Sequence, residues 1–75
     1  MTTDELIIIL KEMYNNADNG FQVANIHLFG IKYANELQNK NLKFIATEAL
    51  NKESYYAEIN KGIKLSFLLK KIIKI

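Results

Sequence analysis

Residues 42–62, LKFIATEALNKESYYAEINKG, decide the fold, because small and apolar side chains recur in this stretch at helical spacing. A small residue, Ala46, stands near its start, and Ala49, Tyr56 and Ile59 follow it by three, ten and thirteen residues. Two short helices that cross closely need a small side chain at the crossing and apolar side chains at such later offsets. The spacing therefore predicts a short helix, a tight turn and a second short helix that packs across the first.

The second half of this stretch, residues 54–62 (SYYAEINKG), resembles the recognition-helix signature of lambda-repressor-like (Xre-type) helix-turn-helix domains. The resemblance continues without a gap back through residues 42–46, LKFIA. With residues 26–34 (IHLFGIKYA) ahead of the unit and residues 63–65 (IKL) behind it, the whole chain is also similar to short stand-alone bacterial proteins with an HTH-like domain. These resemblances imply DNA binding and a role in transcription regulation.

The turn departs from the repressor pattern. Where that pattern has a glycine followed by an apolar residue, this chain has Leu50 and then Asn51. We therefore expect a shifted or wider turn, which would change the angle between the two helices.

The resemblance implies that the helix of about residues 52–61 enters the major groove of double-stranded DNA. The candidate DNA contacts are Lys52, Ser54, Ala57 and Lys61 on this helix, and Lys43 and Lys64 at the ends of the unit, where phosphate contacts are common. Two carboxylates, Glu53 and Glu58, share the outward positions and would repel phosphates. The plainer interpretation of each lysine is a solvated side chain on an exposed helix.

The first half of the chain predicts two further helices. Thr2 and Glu5 have the spacing of a capping box, which predicts a helix over about residues 3–15 that ends in a cluster of turn-forming residues. Residues 21–26 alternate apolar and polar side chains and predict coil or a short strand. A second helix is predicted over about residues 26–38, with Gly30 inside it, where a glycine permits a close helix crossing.

The C-terminal segment predicts one more helix, because Gly62 has the position of a helix stop and an apolar stripe follows it. The stripe is Leu65, Leu68, Leu69 and Ile72, with Lys64, Lys71 and Lys74 on the opposite face. We therefore predict an all-α fold for residues 1–75, a compact bundle of about five short helices in a single domain that contains a helix-turn-helix.

The tail, residues 63–75, contains more apolar side chains than one helix face can bury in so small a domain. The simplest cover is a second copy of the chain, with Ile73 and Ile75 closing a two-fold interface, and this predicts a homodimer through the C-terminal helix. The alternative is a basic amphipathic helix lying on a membrane surface.

Charge is divided unevenly along the chain, although the formal net charge is only +2. Residues 1–39 carry two lysines and five acidic residues, whereas residues 40–75 carry eight lysines and three acidic residues. The second half is therefore the part expected to meet a polyanion. Every cation is a lysine, which neutralises phosphates but lacks the arginine fork that reads guanine.

The amino-acid composition argues against a catalytic function. Without cysteine there is no disulfide, thiolate metal site or cysteine nucleophile, and His27, the single histidine, is expected to be a helix-start or packing residue. We therefore predict no catalytic residues, no metal, no cofactor and no small-molecule substrate.

The acidic N-terminus lacks the character of a signal peptide, and no apolar stretch has the length of a membrane span, so a cytoplasmic location is expected. The alternative function is a protein-protein interaction module or phage-type inhibitor built on the same fold, without DNA binding.

Overall fold

The computed structural model describes residues 1–73, which form five α-helices and one short 3₁₀ turn and contain no β-strand. The helices are α1 (Thr3–Asn15), α2 (Gln22–Lys32), α3 (Ala34–Leu37), α4 (Leu42–Leu50) and α5 (Tyr56–Ile72), and the 3₁₀ turn covers Glu53–Tyr55. The predicted all-α bundle is confirmed. Lys74 and Ile75, which the sequence assigns to the basic face and the dimer contact of the tail, lie outside the described residues.

Helix α1 has the predicted bounds and the predicted cap. The Thr2 hydroxyl accepts a hydrogen bond from the Glu5 amide at 3.1 Å, and the Glu5 carboxylate accepts one from the Thr2 amide at 2.8 Å. This reciprocal pair satisfies two amide groups that the first turn of a helix leaves without partners. The helix then buries Leu6 and Leu10, which lie on the same face four residues apart.

Helix α2 begins at Gln22, so the prediction of coil or a short strand over residues 21–26 is wrong. Phe21 and Val23, whose alternation suggested a strand, are both exposed, and no neighbouring strand exists among the described residues to pair with them. The Asn25 side chain instead donates to the Met13 carbonyl at 2.8 Å and ties α2 to α1. The tertiary contact with α1 therefore favours helix where the local pattern is ambiguous.

The predicted helix over residues 26–38 is two helices in the structure. Helix α2 ends at Lys32, and Tyr33 leaves the helical conformation with φ −110° and ψ 24° before the single turn of α3 begins. Leu37 of α3 is nevertheless buried in the core, as its helical spacing predicts.

Two glycines permit the closest helix contact in the fold. Gly30 of α2 and Gly62 of α5 are both buried, and a Cβ on Gly62 would overlap the carbonyl oxygen of His27. Gly62 is therefore not a helix stop: it lies within α5, and the separate fourth and fifth helices predicted from the sequence are one continuous helix. The crossing predicted at Gly30 is confirmed.

A single core gathers side chains from all five helices. Its largest fully buried members are Leu6, Leu10, Ile26, Phe29, Leu37, Ile45 and Ile59. Every helix thus contributes to the same apolar cluster, and this fixes α4 and α5 relative to the rest of the chain.

Replacing Gly62 with alanine should destabilise the fold. The new methyl group would meet the backbone of α2, which cannot yield as a flexible side chain does. We expect a loss of about 1–3 kcal/mol, which exceeds the helix-propensity gain of about 1 kcal/mol. Urea unfolding followed by circular dichroism measures the change. Lys70→Ala, exposed on the same helix, is the control and should stay within about 0.5 kcal/mol of the parent; a stabilised Gly62→Ala variant would contradict the close crossing.

Candidate nucleic-acid interface

The small residue predicted at the helix crossing is buried as expected. Helix α4 starts at the Asn41 cap, whose side chain accepts a hydrogen bond from the Phe44 amide at 3.0 Å. Ala46, one turn further on, is fully buried in the core together with Ile45. This places the small side chain where a second helix has to pass close to α4.

The turn after α4 is wider than in the repressor pattern, as the departure at Leu50 and Asn51 predicts. Asn51 adopts a left-handed conformation (φ 54°, ψ 31°) and donates its amide to the Thr47 carbonyl at 2.9 Å. Asparagine tolerates this conformation better than most residues other than glycine. Lys52 is then extended, and Glu53–Tyr55 form the 3₁₀ turn before α5 begins. The predicted helix of about residues 52–61 is therefore part turn and part helix.

The wider turn exchanges the roles of two adjacent tyrosines. Tyr55 packs against the core and its ring lies 5.9 Å from that of Tyr14, with the two hydroxyl oxygens 3.5 Å apart. Tyr56, predicted to face inward, is 37% exposed. The prediction is wrong for Tyr56, because the 3₁₀ turn before α5 packs Tyr55 on the core in its place. Ile59, three residues further on, is fully buried as predicted. The hydrogen bond with Tyr55, followed by burial, raises the pKa of Tyr14 above its ordinary value.

Glu58 is turned toward α2 and does not stand as a free charge on the outer face. Its carboxylate lies 2.7 Å from His27 Nε2 and 3.4 Å from Lys61 Nζ, and its side chain is 21% exposed. The hydrogen bond with His27 and, secondarily, the contact with Lys61 hold the pKa of Glu58 below its ordinary value. The lowered pKa keeps this carboxylate ionised, so its repulsion of phosphates is offset only by the neighbouring Lys61 ammonium. His27 itself lies in the middle of α2 and not at a helix start, and its side chain contacts the Glu58 carboxylate of α5.

The outer face of α5 carries lysines. Ala57, Lys61, Lys64 and Lys71 follow one another at intervals of four, three and seven residues, which places them on one side of the helix. This side is opposite the buried Ile59, Gly62 and Ser66. Ala57 is half-buried, and the three lysines are exposed. We call this surface the lysine face.

Two more predicted residues gather at the turn. Lys43, in the first turn of α4, has its Nζ 5.0 Å from the centre of the Tyr56 ring, and Lys52 has its Nζ 4.8 Å from the centre of the Tyr55 ring. Ser54 follows Lys52 by two residues and is exposed in the 3₁₀ turn. The structure thus brings Lys43, Lys52 and Ser54 to one end of the lysine face.

Comparison with known protein families decides the assignment. The sequence model of the HTH-like domain matches residues 2–72, nearly the whole chain. The chain belongs to the HTH-like domain family. No curated protein and no solved structure matches it.

Two features of the surface of this HTH-like domain have no signal in the sequence. Phe44 is a large exposed aromatic beside Lys43, on the surface of α4. The contact between His27 and Glu58 joins residues 31 positions apart, and no local pattern signals it.

No helix among residues 1–73 is long and apolar enough to cross a membrane.

The register at the turn predicts unequal costs for two neighbouring substitutions. Tyr55→Ala removes a ring packed on the core and should cost about 2–4 kcal/mol of unfolding free energy. Tyr56→Ala removes a more exposed ring and should cost about 1 kcal/mol or less. Chemical denaturation of the two variants measures the difference, and a reversed order would mean that the turn has the narrower repressor register.

The contact between Glu58 and His27 predicts that the stability of the fold depends on pH. Because folding lowers the pKa of Glu58, its contribution to stability is present above the ordinary glutamate pKa of about 4.3 and is lost as the pH falls through the lower folded value. Glu58→Gln should therefore lower the urea midpoint at neutral pH, and the difference from the parent should shrink toward about pH 3.

The exposed neighbour Glu53 supplies the control for this measurement. Glu53→Gln should leave the urea midpoint close to that of the parent at both pH values, because its side chain is exposed on the 3₁₀ turn. An equal effect of the two substitutions would show that the His27 contact contributes nothing specific.

Proposed function

We propose that this HTH-like protein binds double-stranded DNA and regulates transcription, with residues 52–61 as the reading element and with no catalytic role. The single observation that supports this most is the exposed lysine face of α5, in the helix that follows the turn after α4. In a helix-turn-helix, the start of the second helix reaches base edges while flanking residues contact the backbone. This proposal implies that the protein is located in the cytoplasm, together with the DNA that it binds.

The electrostatics of α5 favour a polyanionic partner. Within the described part of α5, Glu58 is the only acidic residue, and it is held by His27 and Lys61. The exposed side chains beyond it are lysines or uncharged. Each lysine that meets a phosphate releases condensed counterions from the DNA, and this release supplies much of the binding free energy.

The residue types indicate which side chains would contact phosphates and which would contact bases. Lys61 and Lys64 are suited to positioning α5 on phosphates, because a lysine is a mobile point charge that carries little sequence information. Base reading falls to Lys52, Ser54 and Ala57 at the start of the element, where an ammonium, a hydroxyl and a methyl group can meet base edges. The tyrosine rings below Lys43 and Lys52 hold these two ammonium groups near the turn by cation-π attraction.

We also propose that the protein acts as a homodimer. Five large apolar side chains of α5 are exposed between Leu65 and Ile72, more than a small monomeric domain usually leaves in contact with water. A dimer would cover them, and it would place two reading elements on one DNA molecule.

A second candidate function is binding of another protein without DNA. The exposed Phe44 on α4 and the nearby carboxylate of Glu53 favour it, because an aromatic anchor beside a charge suits a protein interface and the carboxylate opposes phosphate. This candidate predicts retention of a protein partner in high salt, whereas the DNA proposal predicts steep weakening.

The salt dependence of binding tests the DNA proposal. Affinity for a random-sequence duplex should fall with salt, and removing two phosphate contacts by Lys61→Ala with Lys64→Ala should reduce the magnitude of the log–log slope by about two. Lys11→Ala, on the exposed side of α1, is the control and should leave the slope unchanged. Absence of duplex binding in low salt, or equal effects of the two sets of substitutions, would refute it.

A further inference from the structure

The second half of α5 exposes a narrow apolar stripe. Leu65, Leu68, Leu69 and Ile72 are between 37% and 77% exposed, and their spacing of three, one and three residues places them on one side of the helix. At 3.6 residues per turn, this tail stripe is centred roughly 70° around α5 from the lysine face and roughly 100° from the buried face. By the same geometry Leu68 lies at the edge of the lysine face, between Lys61 and Lys64. The other three residues of the tail stripe form an uncovered apolar seam beside that face.

We propose that the tail stripe packs against the same stripe of a second copy, with the two α5 helices antiparallel and the two-fold axis passing between Leu68 and Leu69. A seam of one apolar position in every three or four residues is the pattern that helix-helix packing requires. A flat lipid surface favours a wider apolar arc than this stripe, which Lys64 flanks on one side.

Charge selects the antiparallel arrangement. In a parallel pair in register, each lysine of α5 would lie level with the same lysine of its partner, and like charges so placed repel. In the antiparallel pair, Lys64 lies level with the partner's Ile73, and Lys71 lies level with the partner's Ser66. No described lysine of α5 then lies level with a lysine of the partner. The nearest such pair, Lys64 and the partner's Lys71, is offset by two residues, about 3 Å along the axis.

The length of α5 then fixes the separation of the two reading elements. With a rise of 1.5 Å per residue, Ala57 lies about 17 Å along the helix from the two-fold axis, so the two copies of Ala57 are about 35 Å apart. Successive major grooves on one face of B-DNA are separated by about 34–36 Å. The distance follows from the continuity of α5 across Gly62, which lets one helix carry both the reading end and the dimer seam.

The lysine face has the orientation that this arrangement needs. When two helices lie side by side on a duplex, the partner and the DNA must be on sides of the helix about 90° apart, close to the angle of roughly 70° between the tail stripe and the lysine face. This part of the inference rests on the proposed DNA binding, whereas the interface between the two tail stripes does not. It predicts a two-fold symmetric binding site with half-site centres about one turn of DNA apart.

Sedimentation of the full chain without DNA tests the interface. The parent should sediment as a dimer, and Leu68→Glu or Leu69→Glu should sediment as a monomer with an unchanged circular dichroism spectrum. Phe67→Glu is the matched control, because Phe67 is 43% exposed but lies on the other side of α5, and it should remain a dimer. A monomeric parent, an equal loss in the Phe67 variant, or binding of a monomer to vesicles of anionic lipid would overturn the proposal. Leu68→Ser provides the same test with a neutral side chain if a glutamate variant is misfolded.

Distances between spin labels test the antiparallel geometry independently of DNA. The chain contains no cysteine, so Lys61→Cys and Ala57→Cys each give one label per copy. The distance between labels should increase from about 22 Å at position 61 to about 35 Å at position 57. Equal short distances at both positions would indicate a parallel pair and overturn the arrangement. A dimer with these distances that fails to bind any duplex would refute the DNA proposal alone, whereas a monomer that binds duplex would refute the dimer alone.

Discussion

The approach of α2 and α5 at Gly30 and Gly62 is the constraint on which the candidate site depends. With no Cβ on either residue, the two backbones approach so closely that a Cβ at either position would overlap the backbone of the other helix. The crossing buries Ile59 and Ser66 on the same side of α5 as Gly62 and therefore turns the opposite side, with its lysines, toward solvent. It also brings His27 within hydrogen-bond distance of Glu58. The close contact at the two glycines thus determines which side chains of α5 face solvent.

The second constraint is the wide turn between α4 and α5. A left-handed Asn51, an extended Lys52 and one 3₁₀ turn place Tyr55, and not Tyr56, between the two helices. The Tyr55 ring then rests against Tyr14 of α1, so the angle of the crossed pair is coupled to the N-terminal helix. The candidate interface is therefore supported by contacts among three helices, α1, α4 and α5.

The charge pattern and the apolar pattern of α5 complement each other. Lysines repel one another wherever two copies approach, so an arrangement of copies must separate them while it covers the leucines. A polyanion beside the lysine face would reduce this repulsion further. Helix α5 can therefore contact a polyanion with its lysine face and a second copy of the chain with its tail stripe. Its buried face packs against the core.

The sequence by itself determined the helical class, the capping box of α1, the burial of Ala46 and Ile59, the close crossing at Gly30 and the widened turn after Leu50. These features depend on local chemistry or on helical spacing, which a sequence displays directly. Only the tertiary structure decided the helical state of residues 22–26, the inward position of Tyr55, the continuity of α5 through Gly62 and the pairing of His27 with Glu58. A glycine ends a helix or permits a close contact according to what packs against it, and a pair 31 residues apart meets only when the whole core is assembled. Those contacts are long-range, and no window of the sequence contains both partners.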